Sequence, residues 1–304
     1  MQKREKETST IFDDVFRTMV EKMPYLFIPL INEVFCQQFA LDEPINLLKN
    51  EHMTPNGKKV TDSCFLIENK RYHIECQCRP DGVIALRMLE YDIAIALEQA
   101  WQEGEKYRVK FPHSCVLYLR PNHDKRLKEE IYVEFANGEE HIYEVPIIDV
   151  QAYTKEEIFK KNLLVLLPYY IMKYEKQLAK ESLENHELQM LFQDFREIKR
   201  NLEDLGSEGK NEIYADLAHL ILHVSNYMLK KTAVAGKGIG EIMGGEVLEL
   251  YSEKLIKEGR AEGELRTVIS FVKEGIISVE YAAAKLAMTT EEFEKMAKEM
   301  EESI

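Results

Sequence analysis

Asp62, Glu75 and Gln77 stand within KKVTDSCFLIENKRYHIECQC, Lys58 to Cys78, two alternating runs of apolar and polar residues around a polar tip. Runs of this kind form an antiparallel hairpin. A turn at Asn69 and Lys70 sets Asp62 opposite Gln77 and Glu75 opposite Cys64. Alternation then places Glu75 and Gln77 on one face and sends Ile74, Cys76 and Cys78 to the other, into an apolar layer. Two carboxylates about 5 to 7 Å apart repel by about 3 kcal/mol at an effective dielectric of about 20. A hard divalent cation such as Mg²⁺ offsets that repulsion while keeping several of its waters. Such an ion polarises a phosphoryl oxygen and lowers the pKa of a bound water, the two requirements of phosphodiester hydrolysis. Alternation by itself also describes the solvated face of an antiparallel hairpin, and at this level both readings stand.

Three strands are expected to position these residues: Ile45 to Lys49, Lys59 to Ile67 and Arg71 to Cys78. Ahead of them, apolar positions recur at helical spacing from Ile11 to about Gln37, interrupted at Pro24 and Pro29. Thr10 and Asp13 form a weak cap there, which puts Asp14 in the first turn. From Val83 to Gln102, the residues Leu86, Leu89, Ile93, Leu97, Ala100 and Trp101 form one apolar stripe, the mark of an amphipathic helix. Cys115 to Arg120 reads as a buried strand, and Ile131 to Phe135 with His141 to Val150 as a hairpin around Asn137 and Gly138. After Thr154 the strand signals give way to helical periodicity. The expected organisation is an α/β domain over residues 1–155 and a helical C-terminal region over residues 156–304.

The 304 residues carry 54 acidic against 40 basic side chains, a net charge of -14, which opposes tight unassisted binding of a polyanion and leaves only a local basic groove. Lys58, Lys59, Arg71, Arg79 and Arg87 are the basic residues near the hairpin in sequence. The amino terminus is polar and charged, and the longest apolar run, Leu163 to Met172, is far short of a span. A cytoplasmic protein with no membrane partner is expected. Cys76 and Cys78 read as core thiols, and His219 and His223 as packing residues on a helix. The glycine run from Gly236 to Gly245 reads as a linker. Ser278 to Met300 reads as two short helices around a turn, too acidic for a major groove and suited to a bundle or to homo-oligomerisation.

The acid, hairpin and acid-x-amide layout of Asp62, Glu75 and Gln77 resembles the PD-(D/E)XK nuclease signature, in the variant with glutamine at the lysine position. With FDDVFRTMV at Phe12, YHIECQ at Tyr72, LRMLEYDIAIAL at Leu86 and YEVPIIDV at Tyr143, the chain is similar to the Rpn group, the recombination-promoting or transposase-associated nucleases of that superfamily. The resemblance covers roughly residues 10 to 175 and, more weakly, the helical tail. It implies a restriction-endonuclease-like αβββαβ core with an added β-hairpin, acting as a Mg²⁺-dependent endonuclease, with Mn²⁺ as a substitute ion and DNA as partner. Asp62 and Glu75 are then the metal ligands, with the Cys76 carbonyl as a further one and Gln77 as the residue that orients the water. Asp14 becomes the early helical acid, and Arg87 and Tyr91, four apart on one helix face, hold a phosphate. Gln77 brings no positive charge, which Arg79 or Arg87 is expected to supply. The alternative is a retained fold without hydrolysis that binds nucleic acid or a partner protein.

Overall fold

Pro24 divides the amino-terminal helical stretch. In the computed structural model, α1 (Gln2–Lys22) gives way to a tight helical turn at Pro24–Leu26 and then to α2 (Phe27–Phe35). The structure describes residues 2–54, 57–79, 82–121, 126–178, 185–206, 211–230, 232–244, 265–274, 276–286 and 288–302. Because α1 begins at Gln2, Asp13 and Asp14 lie in mid-helix rather than in a first turn capped by Thr10.

Next come β1 (Ile45–Leu47), β2 (Glu51–Thr54), β3 (Gly57–Val60), β4 (Cys64–Ile67) and β5 (Lys70–Gln77). The expected single strand from Lys59 to Ile67 is therefore two. β3 pairs with β2 as a separate hairpin, the chain bends at Thr61–Ser63, and β4 enters the main sheet. α3 (Ile84–Leu97) crosses back over the sheet, the short hairpin β6 (Trp101–Glu103) and β7 (Lys106–Arg108) follows, and β8 (His113–Tyr118), β9 (Lys128–Glu134) and β10 (Glu140–Asp149) complete the strands. The six-stranded sheet has the order β1-β4-β5-β8-β10-β9. β5, β8 and β10 run parallel at its centre, and β4 and β9 are antiparallel to their neighbours β5 and β10. Parallel central strands need cover on both faces. α3 supplies one side, where Ile84 and Met88 pack on Val116, Tyr118, Val145 and Ile147. On the other face, Phe27 of α2 lies 4.9 Å from the Phe65 ring and Phe35 lies 5.5 Å from Tyr72.

α3 is rotated relative to the stripe read from its sequence. Leu86 is 62% and Leu97 58% exposed, while the buried row is Ile84, Met88, Asp92 and Ile95. The helix also ends at Leu97, and Trp101 falls in β6, which a turn around Gly104 at φ +64° joins to β7. Asp92 is held inside by hydrogen bonds to three strands, which turns the leucines outward.

The helices after Thr154 are not a separate body. α4 (Lys155–Lys160), the buried 3-10 helix Leu164–Tyr174, α5 (Glu175–Leu178), α6 (Asn185–Gly206), α7 (Asn211–Met228) and α8 (Ala233–Met243) belong with the sheet to one compact unit, residues 1–248. Tyr169 donates its hydroxyl to the Phe12 carbonyl at 3.2 Å, and Tyr227 meets the Phe12 ring at 5.9 Å. The change from strands to helices near residue 155 is thus no break in packing. Of the glycine run expected as a linker, Gly236 to Met243 lies in α8 instead, and Gly245 lies outside the described residues. A Cβ on Gly238 would lie 2.3 Å from the Phe192 ring, so glycine there lets α8 approach α6 closely.

Residues 249–304 form the second unit. Its helices α9 (265–273), α10 (Val279–Lys285) and α11 (Thr290–Glu302) surround Leu265, Val268, Ile269, Ala282, Ala283 and Phe293. Among the described residues no helix is long and apolar enough to cross a membrane.

Candidate active site

The hairpin that carries the candidate acids turns one residue earlier than its sequence suggests. Ile67 pairs with Lys70, so the tip is Glu68 and Asn69, with Glu68 at φ +53°. Lys70 is drawn into the strand by tertiary contacts: its ammonium donates to Gln37 Oε1 at 2.8 Å and lies 5.7 Å from the centre of the Phe39 ring. Cys64 therefore faces His73 instead of Glu75. A shift of one residue at the tip moves each pairing by two and leaves side-chain parity unchanged. Asp62 consequently meets Glu75 rather than Gln77.

The meeting is held by backbone groups. The Asp62 N–H donates to Glu75 Oε1 at 2.9 Å, and the Cys76 N–H donates to Asp62 Oδ2 at 3.0 Å. The bend at Thr61–Ser63 frees the Asp62 carboxylate to accept a strand N–H that a β4 carbonyl would otherwise take. Arg17 of α1 lies with its Nη2 3.5 Å from Asp62 Oδ1. Glu75 is 3% exposed, so the face expected to be solvated is closed. Burial, then the adjacent Glu75 charge, push the Asp62 carboxyl up from its usual range to about 8.

Behind Glu75 runs a second layer of polar groups that sequence reasoning missed. His73 places Nε2 3.0 Å from Glu75 Oε1 and Nδ1 2.7 Å from Asp92 Oδ1. Ser114 donates to Asp92 Oδ1 at 2.7 Å, and the Tyr143 hydroxyl donates to Asp92 Oδ2 at 2.6 Å. Burial alone would lower the pKa of His73, but its hydrogen bonds to Asp92 and Glu75 override this and hold it at about 10. A doubly protonated ring donates to both carboxylates at once. Two signals in the sequence point to this layer: His73 shares strand parity with Glu75, and Asp92 falls in a helical row with Ile84 and Met88.

The other expected site residues are distributed as follows. Gln77 continues the Glu75 face of β5 and is half-buried, its carbonyl accepting from the Leu119 N–H at 3.0 Å. Tyr91 sets its ring edge-on to His73 at 5.9 Å, and Arg87 lies one turn earlier on α3. Asp14 is buried in α1 and its carbonyl accepts from the Thr18 hydroxyl at 2.7 Å. The α1 charges that act on Asp62 are those of Asp13, the neighbour of Asp14 in sequence, which raises its pKa, and of Arg17, which lowers it. Cys76 is buried and Cys78 half-buried, both as free thiols. Arg79 is exposed just past the end of β5, Arg71 lies 3.9 Å from Glu98, and Lys58 and Lys59 fall in β3. Among the described residues no group of three or more His, Cys, Asp or Glu is arranged to hold a metal ion.

Fold and site together define a mixed α/β protein whose central sheet carries a buried, backbone-clamped carboxylate pair at the outlet of one strand. No protein-family model, no curated protein and no solved structure matches the chain.

Proposed function

We propose that this protein is a Mg²⁺-dependent DNA endonuclease of the PD-(D/E)XK type, of the recombination- or transposase-associated Rpn group, on a restriction-endonuclease-like core. The observation that carries the reading is the Asp62–Glu75 pair, two acids clamped side by side with little solvent. The order of helix, β1, β4, β5, α3 and β8 supports the αβββαβ arrangement. A hard cation suits this donor set. Each carboxylate has one oxygen fixed by a backbone N–H, and Glu75 Oε2 enters no hydrogen bond among the described residues. Mg²⁺ takes one or two carboxylates and completes its shell with water and substrate, so a cluster of three protein ligands is not required.

When bound, the ion supplies Lewis-acid polarisation of the phosphodiester and a water of lowered pKa. The chain's own residues do the rest. Asp62 and Glu75 hold the cation. The Cys76 carbonyl shares the strand edge of the Cys76 N–H and adds an oxygen donor on that side. Gln77 orients the attacking water through its amide, and Arg17 brings the positive charge that Gln77 lacks. Arg87 and Tyr91 on α3 engage the phosphate backbone. A screening length of about 10 Å at 0.1 M salt lets these local cations act within a chain of net charge -14.

Incubating the purified protein with supercoiled plasmid and Mg²⁺, Mn²⁺ or EDTA, beside Asp62→Ala and Glu75→Ala, tests the reading. Metal-dependent nicking lost in both variants is expected. Equal cleavage by wild type and variants would remove the enzyme reading, and binding of DNA without nicking, indifferent to EDTA, would favour the non-hydrolytic alternative.

A further inference from the structure

We infer that His73 and Asp92 form a strut whose task is to position Glu75 for a divalent cation, with His73 as a positioning residue in direct contact with that ligand. The inference rests on the reading of Asp62 and Glu75 as the metal-holding pair and adds residues to it.

The strut spans the α3 face of the sheet. Asp92 comes from α3, His73 from β5, Ser114 from β8 and Tyr143 from β10, joined by hydrogen bonds of 2.6 to 3.0 Å. Asp92 is 1% exposed and His73 is fully buried. One and two turns along the same helix, the same layer is filled by Met88 and Ile84 against apolar strand residues. Apolar side chains would therefore serve packing at this place, and buried ionic groups seldom exceed them in stability. The network is accounted for by what it does at its open end.

That end is the Glu75 carboxylate. A glutamate side chain loses up to about 2 kcal/mol of rotamer freedom when fixed, and Asp62, once ionised, repels it. The Asp62 N–H and His73 Nε2 both engage Oε1, which fixes the carboxylate plane and leaves Oε2 as the oxygen to offer a cation. Asp92 in turn fixes the ring, accepting from Nδ1 while Ser114 and Tyr143 donate to its Oδ1 and Oδ2. Outer partners of this kind typically change metal affinity by about 10- to 100-fold when removed.

The test is Mn²⁺ titration calorimetry on the full chain, with melting temperatures measured alongside, for wild type, Glu75→Gln, His73→Gln, Asp92→Asn and Tyr143→Phe. His73→Gln and Asp92→Asn are expected to weaken Mn²⁺ by about 10- to 100-fold. The His73→Gln/Asp92→Asn double variant should be no weaker than the worse single one, since both act along one path. Tyr143→Phe, which keeps the ring and removes one hydrogen bond from Asp92, should show a smaller loss and carries the test if the buried variants fail to fold. Wild-type affinity in Asp92→Asn and Tyr143→Phe, with Glu75→Gln impaired, would overturn the strut and leave the metal reading standing. No Mn²⁺ uptake by wild type would overturn both.

Discussion

Burial and the neighbouring Glu75 charge move the Asp62 carboxyl from 3.8 to about 8, so the folded protein retains a proton there that the unfolded chain has already released. The folded state then binds more protons between about pH 4 and 8, and stability falls as pH rises through that window. His73 adds a second decline, because its folded pKa of about 10 lies above the ordinary 6.5, and its contribution is lost as pH rises from 6.5 through 10. Asp62→Asn removes the first decline. Urea unfolding at pH 5 and pH 9 should show the variant gaining stability relative to wild type between the two; an equal difference at both would exclude a raised Asp62. At this scale Asp62, Glu75 and Gln77 were legible because strand alternation is local. Asp92 was not, since its partners lie 19 to 51 residues away along the chain.

At the scale of elements, α3 and α8 show where patterning and packing part company. The leucines of α3 form a regular stripe, yet the buried row contains Asp92, because withdrawing it would leave His73, Ser114 and Tyr143 without their hydrogen-bond partner inside the protein. Leu86→Ala should therefore change stability by no more than about 0.5 kcal/mol, whereas Met88→Ala should cost about 2 to 5 kcal/mol in urea denaturation. The reverse ranking would mean that the sequence stripe, and not the observed row, faces the sheet. In α8 the glycines weaken the helix, but at position 238 the absent side chain is what admits the Phe192 ring. Gly238→Ala should destabilise by about 1 to 3 kcal/mol despite alanine's higher helix propensity, through overpacking. Propensity alone forecasts a gain, so the sign of the change decides between them.

At the scale of the whole molecule, the chain divides at residue 248 rather than where strands give way to helices, because α7 and the buried 3-10 helix pack against α1 and against each other. A chain ending at residue 248 should keep its cooperative unfolding and its Mn²⁺ affinity, and one ending at residue 155 should lose both, as read by circular dichroism melts and calorimetry. The amino-acid sequence by itself determined the alternation of helix and strand, the Asn137–Gly138 hairpin and the faces shared by Asp62, Glu75 and Gln77. Each of these follows from local periodicity and turn chemistry, and parity survives a slip of the hairpin tip. Only the tertiary structure decided that Asp62 faces Glu75, that the pair is buried, that α3 turns Asp92 inward and that Gly236 to Met243 is helical. Those outcomes depend on Lys70 meeting Gln37 and Phe39, on Asp92 meeting three strands and on Phe192 meeting Gly238, contacts between segments whose proximity no local pattern encodes.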